Sequence, residues 1–184
     1  LARSVPTSSG AYPWQREYPL GALTSGVVGF SSPIYGTWGL EYFYNNDLLS
    51  HPQPPQSLSQ ILVPERAPNT LTVTLQPQLQ EVARRALGDR NGGVVALNPK
   101  TGAILAMYSS PNYDPAPLTS SDEATATSAW TAYNKKNDRG FPPLGLLATQ
   151  QTFAPGSTFK VITTAAAIMS KPELAMKKYP VKAF

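Results

Sequence analysis

The sequence, 184 residues long, contains no cysteine and a single histidine, His51. No disulfide framework can form, nor any Cys-ligated zinc or iron–sulfur site. A histidine cluster for a metal is equally excluded, and a Ser-His-Asp arrangement would have to use His51. Charged residues are scarce, at 14% against a usual share of about a quarter. The longest apolar stretch, Val161 to Met169, includes two threonines and falls well short of the roughly 20 residues that span a bilayer. No signal-peptide pattern stands at Leu1, so the chain as given is expected to be soluble. The net charge of +4 is not a basic patch. Lys171, Lys177, Lys178 and Lys182 outweigh Glu173 near the end, and the remainder is almost neutral. Nucleic-acid binding, which calls for basic residues concentrated on one element, is therefore not expected.

What is present is 41% hydrophobic residues, 19 prolines and 13 glycines: enough for a core, in a chain rich in turns. The length suits one complete domain or parts of two. Three blocks stand out. Residues 1–50 are rich in Gly, Tyr and Ser, and Trp38 to Tyr44 predicts a helix ending near Leu49. Residues 51–68 carry Pro52, Pro54, Pro55, Pro64 and Pro68. Because proline fixes φ and donates no backbone hydrogen bond, this is read as a semi-extended linker and a domain boundary. His51, within it, is expected to be solvated. Residues 69–184 read as the start of a packed domain.

In that third block Leu71-Thr72-Val73-Thr74-Leu75 alternates at period 2 and predicts a half-buried strand. Pro77 suits a first helical turn. Leu79, Val82, Ala83, Ala86 and Leu87 then form one apolar helical face, closed by Gly88 as a C-terminal cap. The apolar runs Gly93–Leu97 and Ala103–Tyr108 flank Asn98-Pro99-Lys100-Thr101-Gly102, predicting an antiparallel hairpin with Gly102 at positive φ. Ser109 to about Ala148 reads as loop with short helical pieces. After Pro155-Gly156 a helix is expected from Ser157 to about Met169, apolar on nearly all sides and hence inside a domain. The fold class is α+β.

The chemistry resides in Ala154-Pro155-Gly156-Ser157-Thr158-Phe159-Lys160. Spacing i to i+3 on a helix sets the Ser157 hydroxyl and the Lys160 amine on one face, one turn apart. Serine becomes a nucleophile when a neighbouring base takes its proton. Lysine can be that base once burial or nearby cations lower its pKa, a desolvation expected here from Phe159, Val161 and Ile162. A helix N-terminus at Ser157 would also present backbone N–H groups, its own included, to a developing oxyanion. The competing reading is an ordinary helix cap. With 16 serines and 8 lysines in the sequence, chance alone supplies about 0.7 Ser-x-x-Lys pairs, so the four residues say little by themselves.

Their context says more. Asn98 to Met107, then Ser110-Pro111-Asn112-Tyr113-Asp114-Pro115, then Pro155 to Lys160 resembles the penicillin-binding proteins. Arg16-x-Tyr18-Pro19-x-Gly21 and Gly39-Leu40-Glu41 resemble the pedestal of the class B, monofunctional transpeptidases. The short distance from pedestal to nucleophile is most similar to the actinobacterial penicillin-binding protein A type. The resemblance implies a peptidoglycan D,D-transpeptidase: residues 1–50 the C-terminal part of a pedestal (dimerisation-like) segment, 51–68 a linker, and 69–184 the N-terminal portion of a serine β-lactamase-like transpeptidase domain. It implies Ser157 as nucleophile and Lys160 as general base, with no cofactor and no metal. It further implies stem peptides ending in D-Ala-D-Ala as substrate, β-lactams as acylating inhibitors, cell-wall synthesis or divisome proteins as partners, and an extracytoplasmic domain held to the cell membrane by an anchor absent from this chain.

The sequence also departs from the family. No Ser-x-Asn motif follows Lys160, and Lys100-Thr101-Gly102, which spells the third motif, precedes Ser157 and is read as a turn. The substrate-carboxylate residues are therefore expected in a missing C-terminal part. Leu146-Leu147-Ala148 stands where the family usually has Asn-Arg-Ala, and Gln76 where an N-capping Asp is common. Trp14, Tyr18, Trp38 and Tyr42 are expected to pack, with partner binding as the alternative. Rival readings are a serine β-lactamase, a degenerate module acting as scaffold or β-lactam sensor, and a docking domain.

Overall fold

The computed structural model describes residues 1–7, 14–49, 51–52, 66–67 and 69–178. They fall into two compact units, residues 1–151 and 152–184. Among the described residues no helix is long and apolar enough to cross a membrane.

The first unit mixes short helices with two-stranded antiparallel ladders. Strand β1 (Arg3–Pro6) pairs with β2 (Trp14–Glu17), bringing Arg3 opposite Glu17. A 3-10 turn (Gly21–Leu23) and helix α1 (Ser25–Val28) lead to the ladder of β3 (Phe30–Ser32) with β4 (Gly36–Trp38). The helix expected after Trp38 forms as two single turns, α2 (Leu40–Phe43) and α3 (Asn45–Leu48). Between them Tyr44 departs from helical φ/ψ. Backbone pairing joins β5 (His51–Pro52) to β6 (Arg66–Ala67). The remainder of the Pro-rich stretch, and the His51 side chain, lie outside the described residues.

Helix α4 (Pro77–Leu87) starts on Pro77 and ends on Gly88, whose φ of 56° and N–H to the Arg84 carbonyl make the expected cap. Its buried face differs from the expected one. Val82 and Ala86 are exposed, whereas Gln80 is fully buried beside Ala83. The Gln80 amide explains this. Its Nε2 donates to the carbonyls of Leu23 and Met107 at 2.8 and 3.0 Å, and its Oε1 accepts from the Met107 N–H at 2.6 Å. One side chain thus completes the bonding of backbone groups from two other segments, and these bonds offset the cost of taking the amide out of water. Gln80→Leu, which orphans all three, is expected to cost roughly 3 kcal/mol. Gln78→Leu, one residue before Leu79 and exposed, should change stability by less than about 0.5 kcal/mol. Urea unfolding of the two variants checks this contrast.

Strands β7 (Gly92–Leu97) and β8 (Ile104–Ser110) form the expected hairpin, with a bulge at Ala96/Leu97. Asn98 closes its tip: Oδ1 accepts from the N–H groups of Lys100 and Thr101, while Gly102, at φ 74°, donates to the Asn98 carbonyl at 2.8 Å. Lys100-Thr101-Gly102 is therefore an exposed turn. Residues 71–75 do not form the expected strand. They keep the alternating burial, but the attachment to β8 is limited to the Thr74 hydroxyl on the Ile104 carbonyl and the Gln76 N–H on the Leu105 carbonyl. Without a continuous ladder, alternation alone does not make a strand.

The stretch expected to be loop with short helical pieces holds a 3-10 turn (Ala116–Thr119) and a three-turn helix, α5 (Glu123–Asn134). Asp122 caps α5 by accepting from the Thr125 N–H and hydroxyl. These bonds hold the Asp122 carboxyl below its ordinary range. The core joins first and third blocks: Tyr18, Val28 and Phe30 pack with Tyr113, Leu118, Ala129 and Leu146. Phe30 meets Tyr113 edge to face at 6.2 Å, and Tyr35 stacks on Trp130 at 4.4 Å.

In the second unit a 3-10 turn (Gly156–Phe159) runs directly into helix α6 (Lys160–Ser170), and a further 3-10 turn covers Pro172–Ala175. The expected buried helix is exposed along its whole length, with Val161 71% and Met169 83% exposed. Among the described residues of this unit, a single helix has no second layer against which to bury its apolar sides.

Candidate active site

Ser157 and Lys160 stand at the head of α6. Pro155 precedes the turn and Gly156 takes a φ of 52°, redirecting the chain into it. The Thr158 N–H donates to the Pro155 carbonyl at 3.0 Å, and the Lys160 N–H to the carbonyls of Ser157 and Thr158. Residues i and i+3 eclipse in a 3-10 turn, so the nucleophile candidate and the base candidate are presented from the same side. Ser157 belongs to the first turn, where backbone N–H groups lack helical partners. No hydrogen bond among the described residues joins the Ser157 hydroxyl to the Lys160 amine. The desolvation expected of Phe159, Val161 and Ile162 is not found. These three are 48%, 71% and 59% exposed, because on a lone helix they flank the lysine without covering it.

The preceding loop is held differently from the family pattern. Leu146 and Leu147 are buried, and the Ala148 N–H donates to the Ser109 hydroxyl at 3.0 Å. Gly93 lies so close to Ala148 that a Cβ there would come within 2.7 Å of the Ala148 Cα. Apolar burial and a backbone bond thus pin Leu146-Leu147-Ala148 without an Asn-Arg pair. Gln76 makes no side-chain cap, consistent with a weaker N-terminus for α4.

The residues resembling a pedestal converge. Arg16 Nε donates to Glu41 Oε1 at 2.7 Å, with Glu41 almost completely buried. The Tyr18 hydroxyl reaches the same carboxylate at 3.5 Å and accepts from the Ser31 N–H at 2.8 Å. In the Asn112-Tyr113-Asp114-Pro115 loop, Asn112 accepts from the Ser25 hydroxyl at 2.6 Å and donates to the Ala22 carbonyl, and the Tyr113 hydroxyl donates to the Ser25 carbonyl at 3.2 Å. Tyr18 packs as expected. Trp14, Trp38 and Tyr42 do not: each is about half exposed or more.

Burial raises the phenol pKa of both Tyr18 and Tyr113, and for Tyr18 the Glu41 charge adds to it. An unfolded tyrosine titrates near 10. A folded-state pKa raised above that value makes the contribution complete below about pH 10 and progressively lost above it. Stability measured by urea is thus expected to hold from pH 8 to about 10 and then to fall. Tyr113→Phe should flatten the fall; an unchanged slope would contradict the assignment.

Comparison with known sequences assigns residues 92–177 to the penicillin binding protein transpeptidase domain and residues 1–64 to the penicillin binding protein A dimerisation domain. The chain belongs to the penicillin-binding protein family, carrying dimerisation-domain sequence followed by the N-terminal part of a transpeptidase domain. A curated relative, the peptidoglycan D,D-transpeptidase PbpA of Mycolicibacterium smegmatis, is 37% identical over 98% of this chain and 38% of its own length. The structure of penicillin-binding protein A from M. tuberculosis, a penicillin G acyl-enzyme complex, matches with a TM-score of 0.77 at 36% identity, over 93% of this chain and 40% of that one. The D,D-transpeptidase domain of a peptidoglycan glycosyltransferase from Eggerthella lenta matches with a TM-score of 0.68 at 37% identity, over 92% and 34%. The chain therefore spans about two fifths of the PbpA-type relatives' length.

Proposed function

We propose that the protein to which this chain belongs is a peptidoglycan D,D-transpeptidase acting through a serine acyl-enzyme. The observation that carries the reading is the Ser157–Lys160 pair, one turn apart at the head of α6, in a chain similar to penicillin-binding protein A caught as a penicillin adduct. The Lys160 amine takes the Ser157 hydroxyl proton as Oγ attacks the penultimate D-Ala carbonyl. The tetrahedral oxyanion is met by backbone N–H groups, that of Ser157 among them. Collapse breaks the peptide bond, and the departing D-Ala amine takes up a proton. An acceptor amine on a second stem peptide attacks the ester, loses a proton and regenerates Ser157. β-Lactams enter the same first step and remain attached.

This reading divides the chain into a pedestal segment (1–50), a linker (51–68) and the N-terminal portion of the transpeptidase domain (69–184). It draws the substrate-carboxylate site, and the cover that would desolvate Lys160, from residues outside this sequence. It also places the catalytic domain outside the cytoplasmic membrane on an N-terminal anchor, among cell-wall synthesis or divisome partners. The test is an exchange assay on the longer protein with a stem pentapeptide and a labelled D-amino acid. Replacement of the terminal D-Ala by the label is expected. Release of D-Ala without incorporation would make the protein a carboxypeptidase, and neither product would overturn the reading.

A further inference from the structure

An open pocket of about 280 Å³ lies between the β1–β2 hairpin, the start of the β3–β4 turn and the segment following the 3-10 turn at Ala116–Thr119. Its size is near the lower end of small-molecule sites, roughly 300 Å³. Two features set its chemistry. Trp14 lines it and is 60% exposed. Among the described residues its lining also includes the hydroxyls of Ser4, Ser31 and Ser121 and the Gln15 amide.

The pocket is uncharged in effect. Its lining cation, Arg16, is engaged by Glu41 through Nε at 2.7 Å and donates from Nη1 to the Ser4 hydroxyl at 3.2 Å. The other guanidinium of the hairpin, Arg3, pairs with Glu17 at 2.9 Å. An anion would meet no uncommitted cation on this hairpin. Hydroxyl side chains, in contrast, both donate and accept, and an exposed indole offers a flat apolar face beside one polar N–H. A pyranose ring has the complementary form: one C–H face that stacks on an indole, and a rim of hydroxyls that exchange hydrogen bonds with serines and an amide. The Ser31 and Ser121 hydroxyls make no side-chain hydrogen bond among the described residues, which leaves them available to such a rim.

We propose that this pocket is a saccharide-binding subsite that takes a neutral pyranose ring on Trp14. The natural ligand is then a ring of the glycan strand whose stem peptides the protein acts on, an identification that rests on the proposed function. Saccharide binding itself does not rest on it.

The test is a ¹⁵N–¹H NMR titration of the longer protein with tetra-N-acetylchitotetraose, with cellotetraose and inorganic phosphate in parallel. Saturable shifts at the Trp14 indole and the Ser31 and Ser121 amides are expected, with a Kd near 1 mM, a weak open site on the affinity scale. Trp14→Ala should weaken binding roughly tenfold, the worth of one aromatic contact, whereas Trp14→Tyr, which keeps a ring, should largely restore it. The same spectra report whether each variant is folded. Binding of both sugars supports a pyranose site without N-acetyl preference. Shifts with phosphate alone, shifts elsewhere, no saturation, or an unchanged Kd in folded Trp14→Ala would overturn the proposal. Loss of saccharide binding with β-lactam acylation intact would fail this inference alone. Loss of acylation with saccharide binding intact would fail the proposed activity alone.

Discussion

Gly29→Ala is expected to lower stability by about 3 kcal/mol or more, whereas Gly36→Ala, in β4, should cost only about 1 kcal/mol. Both glycines have positive φ, 78° and 73°, so both substitutions force an L-residue into the left-handed region. They differ in what a Cβ would meet. At Gly36 nothing lies within 4 Å, but at Gly29 the Cβ would fall 1.9 Å from the Trp38 carbonyl oxygen and 2.8 Å from the Gly39 Cα. These are backbone atoms, which no rotamer change can move aside. The clash would push β4 and Gly39 away from α1, carrying with them α2 and Glu41, the carboxylate that holds Arg16. For a chain of this size the Tm should drop by roughly 6–12 °C in Gly29→Ala. Thermal unfolding of the pair checks it, and equal shifts would show that conformation, not contact, sets the cost.

Lys160→Ala in the longer protein is expected to slow acylation by benzylpenicillin by about 10²–10⁴-fold, the usual worth of a positioned general base. The side chain is exposed and its contacts to the rest of the turn are made by its backbone N–H and carbonyl, the latter accepting from the Thr163 hydroxyl at 3.1 Å. Truncation should therefore leave the fold unaffected, and an unchanged Tm accompanying the loss of rate separates a chemical role from a structural one. Acylation at the wild-type rate would remove Lys160 from the mechanism.

Features set by local sequence were legible. The Asn98–Gly102 turn, the start of α4 on Pro77 and its cap at Gly88, and the one-turn spacing of Ser157 and Lys160 all follow from φ preferences or helix geometry within a few residues. Features set by distant partners were not. Gln80 reads as a polar surface position until Leu23 and Met107 bring their backbone groups to it. Helix α5 buries Ala126 and Ala129, residues too small to give a periodic apolar signal, although Asp122 with Thr125 is a capping pattern visible in the sequence. Leu71–Leu75 has the alternation of a strand but lacks a ladder partner along its length. Apolar content suggested a buried α6 and packed Trp14, Trp38 and Tyr42, yet burial needs a facing layer, and composition does not supply one.

The central claim is that Ser157 carries the acyl group. Intact mass of the longer protein before and after benzylpenicillin, followed by tryptic digestion, tests it directly, because cleavage at Arg139 and Lys160 isolates residues 140–160 with Ser157 inside. One penicilloyl adduct per protein, mapped to Ser157 in that peptide and absent from Ser157→Ala, is the expected result. An adduct on another peptide, or one that persists in Ser157→Ala, would contradict the account.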